Sequence, residues 1–339
     1  MRKLIPVLCL VFPPVTSLGQ ESGFVGEWLL WLERGNSRRP AYGTLSIEPS
    51  GDSVSVYIDG GPVNLLSLEG DRIRFDFDWT DVGDREHLSI LEGTLEDGVL
   101  TGTMTEAGEP RGAWRAMPKA PPESAPPAPD PVDLIGIWGG PAIISKFSFD
   151  QTEAGRAAHE AYDLTIDDPI LRCVSDGLIR MSHGPFVIEV VEDRGRIFIL
   201  HEDLHEVRRI YMDGRPFPEG IDDAQLSMGY SLGHWEGSTL VIETRGLKKA
   251  VWDAAGMPFN AGAVVTERWY LDEDENLRIE FSLNDPVNYN RPILMHQVRQ
   301  RLPDDSEVGE YSCDPHAFYR GLQLDGRLEE YWGRSGNRL

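Results

Sequence analysis

The amino-acid sequence predicts a mainly β protein: a small antiparallel barrel, followed by a larger antiparallel β domain with one short helix. Three observations carry this reading. Between Glu27 and Ala116, short runs of alternating apolar and polar residues recur at regular intervals, punctuated by Gly, Asp and Pro. A similar β pattern returns after Cys173 and continues to residue 302. Between the two lies residues 118–133, PKAPPESAPPAPDPVD, a Pro- and Ala-rich stretch without hydrophobic period that reads as an extended linker.

In the first region, which we bound at residues 20–117, strands are expected at 27–33, 42–48, 53–58, 63–69, 72–79, 87–95, 99–106 and 111–116. Val54, Val56 and Ile58 share one face. Ile73, Phe75, Phe77 and Trp79 oppose Arg72, Arg74, Asp76 and Asp78. One polar face per strand marks an antiparallel sheet that meets water on one side. Eight short strands are enough to close a small barrel, filled by side chains or holding one small ligand. Trp28, Phe75, Phe77, Trp79 and Trp114 are expected to fill it. The opening Gly26-Glu27-Trp28 and the closing Gly112-Ala113-Trp114-Arg115 resemble the ends of lipocalin-like domains, and the resemblance implies a barrel of that kind.

Residues 1–19 read as a secretory signal peptide: Arg2 and Lys3, then a short apolar run, then Ser17-Leu18-Gly19. This implies a periplasmic or secreted protein. Removing the segment takes away two basic and no acidic side chains, moving the formal charge from -24 to -26. So negative a surface repels nucleic acid and anionic lipid. No run approaches the roughly 18 apolar residues of a membrane helix, so no membrane insertion is expected after cleavage. Cys9 leaves with the signal peptide, and Cys173 with Cys313 form an even pair in an oxidising compartment, expected as a disulfide. A CxxC-type metal pair is absent from the sequence.

The second region, 134–339, opens on Leu134-Ile135-Gly136-Ile137-Trp138, another Gly-x-Trp entry. A helix is expected from a Thr152 cap to near Tyr162. Strands are expected at 186–191, 196–200, 207–212, 238–244, 264–271, 277–283 and 293–302, with Asp213-Gly214 as a turn. The polar and aromatic segment 314–339 is expected to lie over the surface with a loose end.

Several residues could carry chemistry. His201-Glu202-Asp203-Leu204-His205 matches HExxH, which holds zinc when a helix places both imidazoles on one face. Flanking β-type runs favour a hairpin tip instead, and no metal ligand is assigned. In GYSLGHWEGSTLVIET (229–244), a Gly-rich turn feeds a core strand, leaving His234 and Glu236 as acid/base candidates and Trp235 as a binding candidate. Glu267 shares a strand face with Val265, Trp269 and Leu271, so its carboxylate is buried or at a barrel mouth. Arg209, Arg215 and Arg268 are the guanidiniums expected to pair with such carboxylates, Glu202, Glu236 and Asp285 among them.

CVSDG (173–177), HEVRRIYMDGRP (205–216), the 229–244 stretch, TERWY (266–270) and DPVNY (285–289) occur in an order that resembles a family of secreted bacterial proteins of unassigned function. That family carries a Gly-His-Trp-Glu-Gly-x-Thr-Leu-Val motif; Ser238 stands where its pattern has Asp. The resemblance adds Asp213 to the binding candidates and implies no reaction.

Two functional classes follow. The first is a protein that binds a small hydrophobic or aromatic molecule in a β pocket. The alternative is a cofactor-independent hydrolase, lyase or isomerase using His234 with Glu236 or Glu267, and Arg209 or Arg215 as anion clamp. A zinc metallohydrolase through His201 and His205 is a third. No cofactor is expected, and the partner is a small-molecule ligand or substrate.

Overall fold

The computed structural model describes residues 23–35, 41–51, 53–80, 86–119, 131–140, 149–311 and 313–334. The expected signal peptide and most of the expected linker lie outside them. The first sheet contains β1 (Gly26–Arg34), β2 (Ala41–Ser50), β3 (Ser53–Ile58), β4 (Gly61–Val63), β5 (Leu65–Glu69), β6 (Arg72–Thr80), β7 (Glu86–Glu96), β8 (Val99–Glu106) and β9 (Glu109–Pro118). Its order, β4-β3-β2-β1-β9-β8-β7-β6-β5, is that of a meander in which the first strand pairs with the last. Asn64 joins the two ends. Its carbonyl accepts from the Asp76 N–H at 3.0 Å, and its amide donates to the Asp76 carboxylate at 2.9 Å.

This barrel is filled. Trp28, Leu30, Phe75, Phe77, Leu91 and Trp114 are all buried in one core, as the alternation predicts. Trp79 has a side chain outside the described set. Gly93 faces Gly102 across β7 and β8, and a Cβ on Gly93 would lie 2.4 Å from the Trp114 ring. The pair therefore leaves a slot in which the indole donates to the Glu92 carbonyl at 3.2 Å.

The second sheet runs β10 (Gly136–Trp138), β11 (Ile188–Glu192), β12 (Arg196–His201), β13 (Val207–Tyr211), β14 (Tyr230–Glu236), β15 (Thr239–Arg245), then past a small hairpin of β16 (Ala250–Val251) and β17 (Pro258–Phe259) to β18 (Val264–Leu271), β19 (Leu277–Asn284) and β20 (Ile293–Arg299). The Leu302 N–H donates to the Ile137 carbonyl at 2.8 Å and the Gly139 N–H to the Gln300 carbonyl at 2.9 Å, so the last strand returns to the first. Two nearly closed barrel-like sheets result. β13 and β14 pair in parallel, because residues 212–229 cross over between them.

Helices are short and more numerous than the single one expected. α1 (Glu153–Glu160) is that one, with Thr152 Oγ1 accepting from the Gly155 N–H at 3.0 Å. α2 (Leu164–Asp167) and α3 (Gly177–His183) follow, and α4 (Pro315–Leu324) and α5 (Leu328–Gly333) occupy the segment read as surface cover. Phe318, Tyr319, Leu322 and Tyr331 pack with Ile166, so this end is tied down rather than loose through residue 334. None of the described helices is long and apolar enough to cross a membrane.

Both Gly-x-Trp entries form the same latch. Trp28 Nε1 donates to the Phe24 carbonyl and Trp138 Nε1 to the Leu134 carbonyl, each at 2.9 Å and four residues back. Gly26 and Gly136 hold the positive φ this requires, 147° and 132°.

The two sheets touch. Thr44 Oγ1 lies 2.5 Å from His296 Nε2, the Leu294 N–H donates to the Asp59 carbonyl, Arg291 grips the Glu48 carboxylate, and Lys119 pairs with Glu280 at 2.9 Å.

Candidate functional site

The interior of the second barrel is polar at its centre. Glu267 faces inward from β18, as its companions Val265 and Trp269 foretell, and is 1% exposed. Its partner is Arg208 of β13, also 1% exposed. Arg208 Nη1 donates to Glu267 Oε1 at 3.1 Å, its Nη2 to Oε2, and the same guanidinium reaches Ser231 Oγ at 3.1 Å and Thr244 Oγ1 at 2.9 Å. Trp269 Nε1 adds a donor to the carboxylate at 3.2 Å. This lattice ties four strands together with a bidentate pair.

Glu267 lies on the inward face that strand parity predicts, and of the three expected guanidiniums Arg268 does pair with Glu236, but none of the three meets Glu267. Arg209 points outward, its guanidinium 5.9 Å from the Phe198 ring. Arg215 forks onto Asp213 at 2.6 Å and lies over Tyr211, and both members of that pair are exposed. Arg268 binds Glu236 at 2.8 Å. Arg208 was missed although it shares β13 parity with inward-facing Ile210, which was the available signal.

His234 and Glu236 do meet: Nε2 lies 3.2 Å from Oε1, and Arg268 holds the other carboxylate oxygen. Arg268, then His234, keep the Glu236 carboxyl below its ordinary range. The trio stands on the outer face of the sheet, with the His234 side chain 64% exposed. Trp235 faces the other way and packs against the core. An ion-paired row on an open face orients charges and encloses no substrate. The segment around Gly233 is a strand, not the turn expected; a Cβ there would lie 2.5 Å from Met212 Sδ and 2.8 Å from Ile210, so glycine serves close packing.

The HExxH residues divide between two environments. His201 ends β12 and is buried in the barrel; residues 203–205 form a single 3-10 turn, and His205 is exposed at the rim. The i, i+4 helical face that zinc needs is therefore not formed, and no cluster of three or more metal-ligating side chains occurs among the described residues.

That rim holds a second feature. Leu204 and His205, at φ 48° and 54°, line a cleft of about 500 Å³ with Glu310, Tyr311 and the Cys173–Cys313 disulfide. Cys173 also takes a left-handed φ, 54°. Three non-glycine residues in this conformation around one cleft store strain of the kind that gathers at functional sites. Asp176 sits nearby on Arg180, 3.5 Å away, and Arg180 forks onto Asp168 at 2.9 and 3.0 Å. Burial, then the Asp203 carboxylate, pushes Asp176 up to about 7.

Buried imidazoles set the pH dependence. Burial pushes His183 and His296 down to about 4 and His201 to about 3, so all three fold neutral. Unfolding restores an ordinary value near 6.5, so these groups take up protons on unfolding between about pH 4 and 6.5. Their contribution is full above 6.5 and is lost as pH falls. Asp176 acts oppositely: its contribution is full below about 3.8 and is lost as pH rises through 7. Three histidines against one strongly raised carboxyl predict lower stability at pH 5 than at pH 7, measured by urea unfolding. Equal midpoints at both values would contradict the buried neutral state.

Neither a family model nor a curated protein matches the sequence. Among solved structures, a candidate outer membrane protein of Bacteroides fragilis aligns at 7% identity and TM-score 0.23, over 82% of this chain and 97% of that one. The immune modulator A of Aeromonas veronii aligns at 7% and 0.23, over 81% and 94%. At those scores neither likeness bears on fold or function.

Proposed function

We propose that this is an extracytoplasmic protein that binds a small molecule, and that the ligand sits in the rim cleft of the second barrel. The observation that carries this is the cleft itself: about 500 Å³, within the size of small-molecule sites, in a molecule whose first barrel has its described interior occupied by a cluster of buried Trp, Phe, Leu and Ile side chains. Tyr311, which meets Phe186 edge-on at 5.6 Å, supplies a ring face, Leu204 an apolar wall, and His205 and Glu310 polar contacts. Glu202 and Glu206 add negative charge on the same loop. The preferred ligand is therefore aromatic and neutral or cationic, which narrows the class suggested by the sequence. The disulfide supports an oxidising compartment, in keeping with the resemblance to a secreted bacterial family.

Calorimetric titration with phenol and tyramine tests this. Tyramine is expected to bind more tightly. Tyr311→Ala and His205→Ala should each weaken binding about tenfold, the order of a single anchoring contact. Arg215→Ala, on the outer face, should leave it unchanged. Binding that survives both rim variants and fails in Arg215→Ala would move the site to the outer face.

A further inference from the structure

Beneath the rim, the barrel interior contains a second and separate arrangement. Ser182, His201, Arg208, Glu267, Gln297 and Arg299 border a cavity of about 10 Å³, room for one water-sized particle, with Ile188, Ile199, Trp269 and Ile279 as apolar walls. Arg208 and Glu267 neutralise each other there. Arg299 has no such counterpart among the described residues. It is 1% exposed, and its Nη1 donates to the Gly139 and Phe186 carbonyls and its Nη2 to the Ser182 carbonyl, each at 3.0 Å. These bonds clamp the end of α3 against β10 and β20, and they involve neutral acceptors only.

The clamp leaves several groups unexplained. Arg299 Nε, both side-chain polar atoms of Gln297 (1% exposed) and His201 Nε2 have no hydrogen-bond partner among the described residues. The cavity therefore has one net positive charge on its walls and up to four unengaged N–H donors: one guanidinium N–H, the two amide N–H groups of Gln297 and, in one tautomer, an imidazole N–H. The electrostatic influences on His201 agree, since Arg299 and Arg208 both disfavour its protonation and no carboxylate opposes them. Buried charges are ordinarily paired, and buried donors ordinarily find acceptors.

We infer that the second barrel contains an internal binding site for a monatomic anion of the halide class, held by Arg299, Gln297 and His201. A space of about 10 Å³ suits a single-atom anion better than a carboxylate or phosphate. The site is independent of the rim cleft, whose acidic loop disfavours anions.

The test uses the whole protein. Thermal unfolding is compared in sodium bromide and in sodium gluconate at equal ionic strength, gluconate being too large to enter. Bromide is expected to raise Tm by about 4 °C, the size of effect a site well above its dissociation constant gives. Gln297→Leu removes the amide donors and is expected to abolish the difference. Crystals soaked in bromide should show an anomalous peak between Arg299 Nε and Gln297. That measurement on the unmodified protein decides the matter if Gln297→Leu does not fold. Equal Tm in both salts with no peak in the cavity would overturn the inference, leaving a water there, which would also satisfy the Gln297 carbonyl oxygen.

Discussion

Replacing Arg208 by Met is expected to lower the free energy of unfolding by about 3–5 kcal/mol, because it leaves the Glu267 carboxylate buried and without its cation. Few single changes outside the aromatic core should cost more. Arg208 donates to three partners at once, Glu267, Ser231 and Thr244, so its loss orphans acceptors on β14, β15 and β18 together. The double variant Arg208→Met with Glu267→Leu should recover much of the loss, since an apolar pair of similar volume carries no desolvation cost. Urea unfolding at pH 7 checks both. A single variant within about 1 kcal/mol of the parent would show that water reaches Glu267, since only a solvated carboxylate tolerates losing its partner so cheaply.

Breaking the Cys173–Cys313 disulfide is expected to cost up to about 5 kcal/mol on the chain-entropy argument, because the bond closes a loop of 140 positions. The cost should also be local. Cys313 precedes α4, whose contacts with the 169–172 turn and with Ile166 hold the C-terminal helices in place. In the double variant Cys173→Ala, Cys313→Ala, residues 315–334 should become the first site of proteolytic cleavage, and the rim cleft should lose a wall. The measurement is Tm with and without a dithiol reductant, followed by mapping of early cleavage products. An unchanged Tm on full reduction would remove the disulfide from the account of stability.

The strands were largely legible because period-two alternation is a local property. β3, β8 and β18 begin and end where the pattern places them. β14 was hidden because Gly233 within it and Gly229 and Gly237 beside it resemble a turn, and Gly233 shows why: a strand can need glycine where side chains from its neighbour press against it. The C-terminal helices were hidden because their apolar residues are few and aromatic, and they acquire partners only from the distant Ile166.

For the chemistry, the sequence by itself determined the inward face of Glu267 and the pairing of Cys173 with Cys313. Both follow from parity or from counting. Only the tertiary structure decided that Arg208, rather than Arg209, Arg215 or Arg268, meets that carboxylate. It alone also set His201 apart from His205 and brought Arg299 and Gln297 to the same small cavity. The physical reason is that alternation fixes which face of a strand a side chain occupies. Which inward-facing side chains confront one another depends on how the sheet closes, through pairings such as the parallel β13–β14 contact and the return of residues 300–302 to β10. Those pairings join residues far apart in sequence, and no local pattern specifies them.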